Sequence, residues 1–283
     1  MTHCIPSSTH SQREQPSAHQ VITRHNGLIF YGLAAASFLE TAIPLHADAL
    51  LSIFADDHDM RHWIEQSWWP VKAEHARETR AYVEAMWPEF DWSSAYGEFY
   101  ETYRPLVCSG RAGLQPAREA LARSVAAVQA AAFYRCLGTA ADDPGLRRLL
   151  YGMSGEEGAH FDCFRRAFEL HDRRDRLGLL TTYRTIVTCA TRARDVDVQL
   201  AFSRLGAPHW YGSAPFPELE YRDFVLRMRE VIRRHLPLGP AMRVLFRPWL
   251  RARRLPLRPA PTAAQGGSRP PAAPRMQLGA SLR

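Results

Sequence analysis

Residues 143–168 read DPGLRRLLYGMSGEEGAHFDCFRRAF. Leu146, Leu149, Leu150, Met153, Phe161, Phe164 and Phe168 recur at the three-and-four spacing of a helix with one face in a core. Glu157 and His160 fall on that same face, where Leu or Ile is expected. A carboxylate and an imidazole three residues apart can point at one spot. Burying that charge costs several kcal/mol unless a metal or a charged partner answers it. A lone Glu-x-x-His equally describes a structural pair, so its meaning depends on the other helices.

Working outward, the preceding stretch predicts a helix from about Pro116 to Leu137, with Gly138 as its stop. Leu121, Val125, Val128 and Ala132 line its core face, and no acid occurs between Glu119 and Asp142. A first long helix is expected from about Gly27 to Ala55. Leu33, Ala36, Glu40, Ile43, Ala47, Leu50 and Phe54 form its seam, with Glu40 the only charged member and Pro44 a kink. A second begins in RHWIEQSWWPVKAEHARETRAYVEAMW, with Ser67 a candidate cap before Pro70. Trp68, Val71, His75, Tyr82 and Met86 share one face, and Lys72 lies three before His75 on it. Residues 87–110 are aromatic and turn-rich and suggest a short helix over one end. After the central stretch, helices are expected at about 178–192, 194–204 and 217–235. The fold expected is all-α.

The domain reading is a disordered segment at 1–26, a helical bundle at 27–175, a helical extension packing on it at 176–255, and a disordered Pro/Arg-rich tail at 256–283. The chain has 283 residues, 46% of them apolar, enough for a sizeable core. Its net charge is +7, concentrated after about residue 225. The stretch 242–255, MRVLFRPWLRARRL, alternates arginine with apolar residues. It suits an anionic membrane surface or an acidic partner such as a carrier protein, or else it is a solvated helix on the bundle. No nucleic-acid reading motif accompanies it. Five cysteines with no Cys-x-x-Cys fit a reducing compartment, and the start lacks a signal peptide's apolar run, so a cytoplasmic protein is expected. There is no Gly-rich phosphate loop and no Ser-His-Asp order.

Three helices thus carry a polar group at mid-seam: Glu40; Lys72 with His75; Glu157 with His160. This pattern resembles the ferritin-like di-iron carboxylate superfamily, over roughly residues 27–170. The segments EEGAHFDCF and WWPVKAEHARETRAYV look like its helix-four and helix-two blocks in small bacterial members. The resemblance implies a ferritin-like four-helix bundle with additional C-terminal helices, and Glu40, His75, Glu157 and His160 as metal ligands. The departures are equally plain. The helix-two glutamate position is Lys72, and the helix-three position is Ala127 or Gln129, neither an acid. Two acids are too few for two divalent cations.

Three expectations follow. One is an oxidoreductase or oxygenase with an altered centre, one metal held by those four residues, in iron, manganese or zinc. Another is a metal-free bundle in which Lys72 pairs with Glu40 and Glu157, similar to metal-free ribonucleotide reductase radical subunits. The last is a ferritin-like binding or scaffold protein. Lys72 and Tyr134 are the candidate catalytic residues; Tyr134 also reads as a tyrosine passing from core to surface. A small-molecule or carrier-bound substrate and a homodimer are further expectations.

Overall fold

The computed structural model describes residues 17–109, 115–191 and 193–235, and the protein is all-α across them. Expected features at 1–16 and 236–283, including the Pro/Arg-rich tail, lie outside the described residues.

Helix α1 (Ala18–Arg24) falls where disorder is expected. Ser17 caps it in a reciprocal box with Gln20, which supplies the end with hydrogen bonds that a polar composition alone does not announce. Helices α2 (Gly27–Thr41) and α3 (Ile43–Ile53) are the expected first helix in two pieces, bent by 43° at Ala42. Pro44 causes the break: it has no N–H for the carbonyl of Glu40, and its ring clashes there. Glu40 therefore sits in the last turn of α2.

Helix α4 (His58–Trp63) is capped by Asp57, whose side chain accepts from Met60 N. It runs through a π-helical turn, Ile64–Trp68, into α5 (Trp69–Met86). Ser67 makes no cap, because the wider turn absorbs Pro70 and leaves the chain helical. Helix α6 (Trp92–Ser109) is much longer than expected. Its aromatic residues are a core stripe, with Trp92, Ala95, Phe99, Tyr103 and Val107 buried at helical spacing.

Helices α7 (Pro116–Ala140) and α8 (Pro144–Asp175) pack along each other. Gly138 does not stop α7; it lets α8 approach. A Cβ there would stand 2.9 Å from the Tyr151 ring and 3.3 Å from Leu150 Cβ. Asp143 caps α8 by accepting from Gly145 N. Then come α9 (Leu179–Thr191), α10 (Ala193–Ser203), a 3₁₀ turn at Ala207–His209, and α11 (Tyr221–His235). Helix α2 packs on α5, while α9 and α11 both pack on α7. Between α2, α5, α7 and α8 lies a buried polar cluster.

Candidate metal centre

The side chains of the cluster come from four helices. Glu40 comes from α2, Lys72 and His75 from α5, Tyr134 from α7, and Glu157 and His160 from α8. All six are buried. Lys72 Nζ donates to Glu40 Oε1 at 2.7 Å and to Glu157 Oε1 at 2.5 Å. Burial alone would strip Lys72 of its proton. The carboxylates of Glu157 and Glu40 reverse this and hold its pKa above the ordinary lysine range. Burial alone would likewise raise Glu157, but Lys72 and then His160 bring it below the ordinary glutamate range.

Lys72 is the only lysine in the chain; every other member of its 36 Lys and Arg residues is arginine. A chain that uses arginine everywhere else keeps lysine where the cation must be compact. An ammonium is a point charge with rotatable donors, whereas a guanidinium is a planar fork needing more room. Nothing in helix periodicity points to that contrast; the composition of the whole chain does.

Around the ion pairs, several donor atoms are left over. Glu40 Oε2, His75 Nδ1 and His160 Nδ1 are buried without a hydrogen-bond partner. Buried polar atoms are normally satisfied, so such a group signals an ion or other ligand. His75 Nδ1 stands 3.9 Å from Glu40 Oε2. Glu40, His75 and Glu157 each offer one ligand atom, and these atoms lie within 4.8 Å of one another. Those three residues can hold a metal ion. His160, expected as a fourth ligand, falls outside this group. Its Nδ1 is 3.5 Å from Glu157 Oε2, and its ring lies 6.1 Å from that of Trp63 and 6.5 Å from that of Trp68. Trp68 ends the π-turn, and both indoles meet His160 edge-on.

In the sequence Glu156 is only the residue before Glu157 in EEGAHFDCF. Its Oε2 lies 2.5 Å from His75 Nε2, with half its side chain in solvent. Next to Glu157 in sequence, it is rotated about 100° around α8 and faces α5. A His75 that donates its Nε2–H as a hydrogen bond to Glu156 keeps Nδ1 free to ligate.

The Tyr134 hydroxyl donates to Glu40 Oε1 by a short hydrogen bond, and its ring lies 6.4 Å from that of His75. The reading of Tyr134 as a core-to-surface tyrosine gives way to one buried at the cluster. Gln129 is turned away, with its Nε2 donating to Ala190 O at the end of α9, and Ala127 is buried. The third helix thus brings a phenol to the cluster from Tyr134, while neither Ala127 nor Gln129, where the resemblance expects an acid, supplies one. His46 is held elsewhere, between Tyr103 and Arg123. No family model, curated protein or solved structure matches this chain.

Proposed function

We propose that the chain is a ferritin-like, metal-dependent oxidoreductase whose dinuclear centre has become one divalent metal, iron or manganese, beside one permanent cation, Lys72. The observation that carries this reading is the pair of buried donors without partners, Glu40 Oε2 and His75 Nδ1, converging with Glu157. Two carboxylates and an imidazole form a donor set suited to such ions. Charge supports a count of one. Glu40, Glu156 and Glu157 against Lys72 leave two more acids than cations among these four side chains. The helix order supports the family reading: Glu on α2, His on α5 and Glu-x-x-His on α8, although α7 brings no acid to the cluster.

A bound ion would supply Lewis acidity and, as iron or manganese, one-electron chemistry. The residues do the rest. Glu156 fixes the His75 tautomer, Lys72 keeps one oxygen of each glutamate from the metal, and Trp63 and Trp68 shield His160 from water. Tyr134 is the oxidisable side chain at the cluster, and its hydroxyl proton already has an acceptor in Glu40.

One observation favours a second reading. Lys72 already answers both glutamates, so the ammonium alone can stand for metal in a non-catalytic bundle. The test is metal content of protein purified without chelator, alongside Lys72→Glu. The metal reading expects about one iron or manganese per chain in the parent, lost in Glu157→Ala and His75→Ala while helicity persists. Lys72→Glu should bind more iron and, without metal, melt lower because three acids then repel. Parent protein without metal that takes up none on titration with Fe(II) or Mn(II) sinks the first reading and leaves the second.

A further inference from the structure

Helices α9 and α11 both pack along α7, and α10 touches both. Their outer faces are unusual in opposite ways. Helix α9 turns Thr182, Thr185 and Ile186 inward and leaves Leu179, Leu180 and Tyr183 at 54%, 67% and 61% exposure. Its described side chains include a single charge, Arg184. Apolar residues facing out over threonines facing in reverse the usual pattern of a surface helix. Helix α11 buries Phe224 and Met228 and turns out Arg222, Leu226, Arg229 and Arg233, one ridge at helical spacing. Glu230 answers Arg233 and Arg234; Arg222 and Arg229 have no ion pair among the described residues. After Glu230 the sequence carries repeated arginines and no aspartate or glutamate. The stretch 242–255 interleaves its arginines with Val, Leu, Phe and Trp.

We propose that this C-terminal layer, the outer faces of α9 and α11, lies on an anionic lipid bilayer. The arginines would meet the headgroup phosphates, and the exposed leucines and tyrosine would enter the boundary above the acyl chains. The aliphatic residues choose lipid over nucleic acid. Leucine and valine find nothing to stack on along a base, whereas a bilayer interface buries them. Attachment would be peripheral: no single helix among the described residues is long and apolar enough to cross a membrane, and of the bent pair α2–α3 that reaches the threshold together, α2 is largely core.

The test is flotation of the full chain with vesicles of phosphatidylcholine alone or with one quarter phosphatidylglycerol, at about 50 mM and about 500 mM salt. Binding is expected to the anionic vesicles at low salt, falling at high salt, with none to the neutral ones. Each of Arg222→Gln and Arg229→Gln should weaken it about fivefold. Leu180→Ser with Tyr183→Ser should weaken it about tenfold. All four positions are exposed, so folding should survive. Equal binding to neutral vesicles, or no binding to anionic ones at low salt, overturns the proposal. So does a Leu180→Ser/Tyr183→Ser variant that binds like the parent while an RNA homopolymer displaces the chain, which would mark a nucleic-acid surface.

Discussion

Helix α2 passes through two regions that treat polar groups in opposite ways. Around Phe30 the core is aromatic: Trp87, Phe90, Trp210 and Phe216 all stand within 5.1 Å of its ring centre. Each indole there has an acceptor. Trp87 Nε1 donates to Arg24 O, Trp210 Nε1 to Leu205 O, and, farther along, Trp92 Nε1 to Ser37 Oγ. One turn past Ser37, the helix enters the region of Glu40, where Lys72 is buried between two carboxylates and three donor atoms have no partner. The first region is the kind of packing that stabilises a fold, whereas buried ion pairs like those of the second are often replaceable by apolar residues without loss. The same helix thus runs from an aromatic core into a buried charged cluster.

The comparison breaks most sharply by substitution at each core. Trp87→Ala and Lys72→Met should each cost about 3–5 kcal/mol, the first by leaving a cavity and the second by stranding two buried carboxylates. Denaturation in chelator should show both losses. Added Mn(II) should restore only Lys72→Met, because a divalent ion can replace the lost charge but cannot fill a cavity. Equal recovery in both would erase the distinction.

A smaller effect lies in pH. Glu157 has a lowered pKa, so its contribution is present above the ordinary glutamate range and is lost as pH falls through that range toward its folded value. Lys72 has a raised pKa, so its contribution is present below the ordinary lysine range and is lost only as pH rises beyond it. Metal-free parent protein should therefore be most stable between those limits. Glu157→Gln should flatten the acid limb by up to about 1.4 kcal/mol per pH unit. An acid limb unchanged in Glu157→Gln would place its cause among other carboxylates.

The smallest change in stability, and one confined to the binding region, is expected at Glu156. Half-exposed, Glu156→Gln should move metal-free stability by less than about 0.5 kcal/mol. It should still lower metal affinity about 10–100-fold, because His75 loses the carboxylate that fixes its tautomer. Calorimetric titration with Mn(II) reads this directly, and unchanged affinity would reduce Glu156 to a surface contact.

The sequence alone determined which residues share a buried helix face. Glu40, Lys72, His75, Glu157 and His160 interrupt apolar seams at three-and-four spacing, and that periodicity is a property of each helix by itself. It likewise determined the break at Pro44, since proline lacks the N–H the helix needs. Helix α6 escaped because its aromatic residues read as turn-rich when no partner surface is in view, and α1 because one capping box outweighs a polar composition. Only the tertiary structure decided what lies between helices. Rotation and separation are set by packing, as where Gly138 admits the Tyr151 ring. They left His160 outside the three donors, turned Gln129 toward α9, and brought Tyr134 to Glu40 and Glu156 to His75. A repeat along one helix fixes an angle around its own axis; the few ångströms that decide a ligand set depend on the neighbours.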